Sequence, residues 1–144
     1  MTQSSATIQT RIIRTILFAL LFMMIGTMLE LYLLDHYEGW QQLIPLLAIG
    51  GSLVSMGWYA LQRTVVYGYI FLGFLTVTAL SGGAGVYLHL AANLEFEQDM
   101  KPSAAFMDVF VESLSGALPT LAPASLIVLA LIGYSYHLLI TQTR

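Results

Sequence analysis

Long runs of apolar residues, separated by short polar stretches, dominate the pattern of the chain. Four runs approach or exceed the roughly 20 residues that an α-helix needs to cross the core of a bilayer. We predict membrane-spanning helices at about residues 12–34, 43–61, 64–90 and 118–140. The third run has about 25 residues without a charge from Thr64 to Leu88, about 37 Å of helix. That length exceeds a core of about 30 Å, so we expect this helix to tilt or protrude.

Short links should make neighbouring helices antiparallel, and only the connection after the third helix is long. Within this connection, the apolar and the acidic residues of 103–114 recur at helical spacing on two different sides. One side holds Phe106, Val109, Phe110 and Ser113, and the other holds Asp108 and Glu112. This pattern is typical of a short amphipathic helix at the membrane interface. The predicted fold is therefore all-α: one domain over residues 1–144, an integral membrane four-helix bundle with an interfacial helix in its long outer loop.

Composition supports the membrane class. The chain has 144 residues, of which 58% are hydrophobic and 9% charged. Soluble domains carry about 25% charged residues, so too few charges are available to coat a soluble globule. Cysteine is absent, which excludes disulfides and thiolate metal sites. A net charge of −3 argues against nucleic acid as a partner.

The charged residues divide sharply between the two predicted sides of the membrane. Arg11, Arg14, Arg63 and Arg144 fall on one side, which is cytoplasmic by the positive-inside rule. Lys101 falls on the other side with all eight acids, giving that side a formal charge of −7: Glu30, Asp35, Glu38, Glu95, Glu97, Asp99, Asp108 and Glu112. We expect a multi-pass protein of a bacterial inner membrane with both termini in the cytoplasm.

Aromatic residues are consistent with the same orientation, because they gather near the predicted ends of the helices. The outer belt would contain Tyr32, Tyr37, Trp40 and Tyr87. The inner belt would contain Trp58, Tyr59, Tyr67, Tyr69, Tyr134 and Tyr136.

Candidate chemistry concentrates in HLAANLEFEQD, residues 89–99, where the third apolar run ends. If the helix continues, His89, Asn93 and Glu97 share a face, whereas Glu95 points elsewhere. The first helix ends at the same side with Glu30 and His36. A histidine–carboxylate set can bind a divalent metal ion or carry protons. The predicted metal ligands are Glu30, His36, His89, Asn93, Glu95 and Glu97. The competing interpretation is that these are ordinary polar residues at the wet end of membrane helices.

Small residues and prolines predict where helices approach one another. The run SGGAG, Ser81 to Gly85, should pack against another helix and bring His89 near it. Pro119 and Pro123 should bend the start of the fourth span and free backbone carbonyls for other partners.

Two resemblances follow from these segments. HLAANLEFEQDMKPS with ALPTLAPASLIVLALIGY, about the last 55 residues, resembles uncharacterised small bacterial four-helix membrane proteins and implies no activity. The segment IGGSLVSMGWYALQR is similar to DoxX-like proteins, with Gly50, Gly51, Gly57 and Arg63 matching that pattern. The charge layout of that family's first helix is absent, so this resemblance implies architecture alone.

The sequence contains no G-x-S-x-G, P-loop, G-x-G-x-x-G or H-E-x-x-H motif, and we expect no enzyme. The leading prediction is a non-enzymatic accessory protein of the membrane. Its acidic extracytoplasmic face would engage a membrane or periplasmic protein, or a second copy of the chain. The alternative is a metal- or proton-handling membrane protein that uses the histidine–carboxylate set at the outer interface.

Overall fold

The computed structural model describes residues 3–142, and side chains from residue 6 onward. This part of the chain forms helices and turns, without a β-strand. The helices are α1 (Gln3–Leu33), α2 (Trp40–Gln62), α3 (Val65–Met100), α4 (Phe106–Leu114) and α5 (Ser125–Thr141), with a 3₁₀ turn at Ala122–Ala124 before α5. Four of the helices, all except α4, are long and apolar enough to cross a membrane. These dimensions are consistent with a multi-pass membrane protein.

The observed helix bounds differ from the predicted spans at two places that matter for function. Helix α3 does not end near Leu90 but continues to Met100, about 54 Å in all, so its polar end is helical. The last long helix begins at Ala122–Ser125 rather than at Leu118. A proline disfavours the α-conformation in the residue that precedes it. Pro119 and Pro123 both impose this restriction here. They delay the helix by about one turn.

The turns between the first three helices are closed by backbone hydrogen bonds. At the end of α1, Asp35 adopts a left-handed conformation with φ 52°, and the N–H of His36 donates to the carbonyl of Leu31 at 2.9 Å. This is the Schellman pattern that terminates helices. Arg63 ends α2 by the simpler αL motif: it is also left-handed, with φ 50°, but its own N–H donates to the carbonyl of Tyr59. Both links are short, as the sequence predicts.

Contacts divide the chain into two compact units, each described by itself. The first unit comprises Met1–Thr78 with Leu129–Arg144. Its interior is mostly apolar and aromatic, with fully buried side chains at Leu20, Met24, Ile49, Met56, Tyr59, Phe71, Leu129 and Ile140. The ring of Tyr59 stacks on His137 with centroids 5.4 Å apart, and Phe71 meets Tyr136 edge-on at 6.4 Å. A hydrogen bond at 3.3 Å joins the buried hydroxyls of Ser52 and Thr78.

The predicted inner aromatic belt is partly wrong. Tyr59 is fully buried and Tyr136 is 2% exposed, so neither ring is placed to face lipid headgroups. Trp58, Tyr69 and Tyr134 are exposed, as the belt requires. Adjacent positions on a helix point about 100° apart. Neighbours such as Trp58 and Tyr59 therefore lie on different sides of one helix. The position of both residues near the helix end does not show which of them is buried.

The second unit, Ala79–Val128, contains the carboxyl-terminal part of α3, all of α4 and the start of α5. Gly82 and Gly85 lie against Pro123, as the packing prediction requires. A Cβ on Gly82 would come within 2.7 Å of the Pro123 carbonyl oxygen, and one on Gly85 within 2.7 Å of the proline ring. Gly83 has no neighbour within 4 Å. The glycines at 82 and 85 thus permit close contact between α3 and the 3₁₀ turn that precedes α5.

Candidate functional site

The six predicted site residues are distributed over both units. Glu30 lies on α1 with an exposed side chain, and His36 is half-buried in the turn that follows; both belong to the first unit. The other four lie on α3 in the second unit: His89, Asn93, Glu95 and Glu97. Because α3 continues to Met100, His89, Asn93 and Glu97 share one helix face, whereas Glu95 is exposed.

Asn93 is the centre of the second unit. Its side chain is 3% exposed, and three acceptors lie within hydrogen-bond distance of its amide nitrogen: the carbonyl of Ser113 at 3.0 Å, the carbonyl of Leu118 at 2.8 Å and the hydroxyl of Thr120 at 3.0 Å. The two hydrogens of the amide nitrogen are shared among these three acceptors. Its amide oxygen accepts the N–H of Leu118 at 3.0 Å. One side chain therefore satisfies polar groups at both ends of the segment that links α4 to α5. We call Asn93, Ser113, Leu118 and Thr120 the Asn93 hub.

Further contacts hold the hub closed. The Thr120 hydroxyl donates to the carbonyl of Ser113 at 3.1 Å, so the two ends of the segment also meet directly. Gly116 lies over the amide of Asn93, where a Cβ would come within 2.6 Å of the amide carbon. A buried amide whose hydrogen bonds are satisfied has one favoured orientation. The connection after α4 is consequently fixed to α3.

His89 makes the next contact along the same face. Its Nδ1 lies 3.1 Å from the carbonyl oxygen of Pro119. Because a carbonyl can only accept, Nδ1 is the donor and carries hydrogen in this contact. The prediction that Pro119 and Pro123 free a carbonyl for another partner is fulfilled by this bond. The arrangement orients the imidazole and leaves Nε2 as its second polar atom.

Lys101 links the end of α3 to α4. Its ammonium group donates a hydrogen bond to the carboxylate of Glu112 and lies 3.7 Å from that of Glu97. The hydrogen bond to Glu112 is the main reason that the pKa of Lys101 is raised above its ordinary value of 10.5; slight desolvation opposes this rise, and the charges of Glu112 and Glu97 add to it. We call Lys101, Glu97 and Glu112 the Lys101 clamp.

The clamp leaves other acids of the second unit available to solvent. Glu95, Asp99 and Asp108 are exposed and are not part of the Lys101 clamp. In the first unit, the Tyr37 hydroxyl donates to the carboxylate of Asp35 at 2.9 Å, and this bond is the main cause of a raised pKa at Tyr37.

The described part of the chain contains no group of three or more histidine, aspartate or glutamate side chains that could hold a metal ion. Asn93, one of the predicted ligands, instead uses its amide for the hydrogen bonds of the hub. Glu97 pairs with Lys101. The predicted metal set therefore gains no support from a ligand cluster and remains a hypothesis that rests on its residue types.

Comparison of the chain with protein-family models, with curated proteins and with solved structures finds no match. The resemblances drawn from the sequence therefore remain predictions, and function must be argued from the residues.

The sequence singled out Asn93 but missed its role. Its partners lie 20 to 27 positions away, across α4 and two prolines. The available signal was Ser113 and Thr120, two small polar residues within a largely apolar stretch. Such residues, if buried, require hydrogen-bond partners, and Asn93 is one of two amide side chains on α3, the other being Gln98.

Proposed function

We propose that this chain is a non-enzymatic accessory protein of a membrane and that an acidic extracytoplasmic surface binds a basic partner. The observation that carries the proposal is the Asn93 hub, because it fixes the connection between α3 and α5 to the outer end of α3. A connection held by a buried amide presents its surface in one shape. Such preorganisation reduces the entropy lost on binding and favours a docking role.

The charge of the second unit supports a basic partner. Its single lysine is engaged by Glu112 and Glu97, so it neutralises acids that lie beside it. Glu95, Asp99 and Asp108 remain exposed and attract cationic groups over a Debye length of about 8 Å. Charge complementarity of this kind speeds association and selects among partners. A membrane or periplasmic protein, or a basic surface on a second copy, would satisfy it.

The membrane arrangement belongs to the same proposal. Four helices are long and apolar enough to span, and the arginine distribution orients the acidic ends outward, with both termini in the cytoplasm of a bacterial cell. Helix α4 would lie at the outer interface. Its exposed apolar residues occupy one side and its acids another: Phe106, Met107, Val111 and Leu114 against Asp108 and Glu112.

The test is recovery of a partner from native membranes with the tagged full-length chain. We expect partner binding to weaken as salt is raised and to fall strongly in Glu95→Lys/Asp99→Lys. These two side chains are exposed and lie outside the hub and the clamp, so their reversal leaves the fold intact. Glu97→Lys is a poorer variant, because it also breaks the clamp.

Gln62→Lys is the matched control, since it adds positive charge at an exposed site near the other end of the membrane helices. It should retain the partner. Equal recovery of the partner by the double reversal and by the wild-type chain would refute docking through this surface.

The alternative is a metal- or proton-handling role, and one observation favours it. A metal-ligating histidine commonly donates its other ring nitrogen to a backbone carbonyl or carboxylate, and His89 donates Nδ1 to the Pro119 carbonyl. In this proposal the Nε2 atom of His89 binds a divalent ion, with Glu95 or Glu97 of the same unit as a further ligand.

Metal analysis of the detergent-purified protein tests this alternative. Stoichiometric metal that is lost in His89→Ala and kept in His137→Ala would support it, because His137 lies on the last helix in the first unit. A wild-type protein that retains no divalent metal after incubation and desalting would exclude the metal site.

A further inference from the structure

Helix α1 carries a shallow groove near its amino-terminal end. Ile8, Arg11, Ile12, Thr15 and Ile16 line a concavity of about 410 Å³. The lining positions follow the spacing of a single helix face. The groove is therefore lined along one helix face by three apolar side chains, one hydroxyl and one guanidinium.

The guanidinium of Arg11 is exposed and forms no ion pair with an acid whose side chain the structure describes. The first acid in the sequence is Glu30, about 28 Å farther along the same helix. An anionic group of another molecule can therefore approach the Arg11 guanidinium without displacing one of these acids. The apolar lining favours a molecule that combines an anion with hydrocarbon.

The position of the groove along α1 agrees with such a molecule. The apolar span of α1 runs from Ala6 to Leu33, 28 residues, and only 11% of its most apolar window is buried inside the protein. About 20 residues cross the bilayer core. Counting from Leu33, the core ends near Ile13, which places Arg11 at the level of lipid phosphates and Ile16 at the level of acyl chains.

We propose that this groove binds an anionic phospholipid. The phosphate accepts hydrogen bonds from the Arg11 guanidinium, whose planar fork suits bidentate contact with phosphate oxygens. The hydroxyl of Thr15 donates to an oxygen of the glycerol ester region. One acyl chain packs along Ile12 and Ile16, while Ile8 covers the headgroup side. The contact differs from general attraction between basic residues and membranes, because it requires a particular arginine and a particular face.

Native mass spectrometry of the full-length protein, released from micelles doped with phosphatidylglycerol or phosphatidylcholine, tests the proposal. The wild-type chain should retain phosphatidylglycerol in preference to phosphatidylcholine. Arg11→Gln should lower that retention by more than about fivefold, because it loses the groove contact in addition to the general attraction of one basic residue to a lipid surface. Arg14→Gln is the matched control: Arg14 is exposed one turn away and does not line the groove, so its loss should lower retention by no more than the general effect of about fivefold.

Two further arms separate lipid binding from simpler explanations. Ile16→Trp fills the hydrocarbon part of the groove and should reduce phosphatidylglycerol retention while leaving helicity by circular dichroism unchanged. Excess inorganic phosphate should not displace the lipid. Equal losses in Arg11→Gln and Arg14→Gln, equal retention of the two lipids, or displacement by phosphate would each overturn the proposal.

Discussion

The two units of the chain are stabilised in different ways. In the first unit, large apolar and aromatic side chains such as Tyr59, Phe71 and Leu129 are fully buried, and they distribute the packing over four helical segments. In the second unit, a single amide joins polar groups from residues 113, 118 and 120 to α3. Distributed packing tolerates the loss of one polar contact, whereas a buried hub does not. The second unit should therefore depend on one residue to a degree that the first does not.

Replacing Asn93 with alanine should have the largest effect. The change removes every hydrogen bond of the amide and leaves the buried groups of Ser113 and Thr120 without the amide that they face. Each buried polar group that is left without a hydrogen-bond partner costs about 1–3 kcal/mol. We therefore expect the free energy of local unfolding to fall by about 3 kcal/mol or more. Hydrogen exchange at the Leu118 amide, which donates to Asn93, measures it directly.

The matched control is Gln98→Ala, because Gln98 is an exposed amide on the same helix. It should leave exchange at Leu118 unchanged. Unaltered protection of Leu118 in Asn93→Ala would show that the connection after α4 is held by something other than the hub.

The contrast also bears on what the sequence could reveal. Apolar run length predicts the four long helices because a membrane core sets a minimum length, and the structure confirms four helices of that kind. The position of Asn93 on a continued α3 follows from helical spacing. Its partners do not, because their approach depends on the path of a chain that contains Pro102 and Pro119 and closes over 20 or more residues.

Side-chain orientation was equally beyond the sequence. Tyr59 and Trp58 are neighbours near the end of α2, yet one is fully buried and the other is 51% exposed. A helix that is apolar on all sides gives no periodic signal to separate a packed face from a lipid-facing one. The site, the orientation in the membrane and the partner therefore remain predictions that the experiments above must decide.

A pair of glycine substitutions in the second unit should give the next largest effect. In Gly82→Ala, the new methyl group meets the Pro123 carbonyl oxygen at 2.7 Å and the Leu126 Cβ at 3.0 Å. Neither atom can move away by a change of side-chain rotamer. Overpacking of this kind costs about 1–3 kcal/mol. Gly83→Ala faces open space and should be neutral or stabilising by up to about 1 kcal/mol, because alanine has the higher helix propensity.

Unfolding by sodium dodecyl sulfate in mixed micelles compares these two variants under one condition. Equal midpoints for Gly82→Ala and Gly83→Ala would contradict the close contact between Gly82 and Pro123.

In the first unit, deleting a buried hydrogen bond should have a modest effect. Ser52→Ala removes the contact with the Thr78 hydroxyl, but that hydroxyl also donates to the carbonyl of Phe74 at 2.9 Å and keeps this bond. Hydrogen bonds between membrane helices average about 0.6 kcal/mol. We expect a loss of that size in the same detergent assay. A loss as large as that of Asn93→Ala would remove the contrast between the two units.

The Lys101 clamp should give the smallest effect, because it is an exposed ion pair that salt screens. Its pH dependence has a definite sign. The pKa of Lys101 is raised above 10.5, chiefly by the hydrogen bond to Glu112, so stabilisation is fully present below 10.5 and is lost as pH rises through the raised value. Lys101→Gln should therefore speed hydrogen exchange in α4 slightly at neutral pH and low salt, whereas Lys101→Arg should not. The difference from the wild-type chain should shrink as pH rises through the raised pKa of Lys101, and a difference that grows with alkaline pH would contradict the clamp.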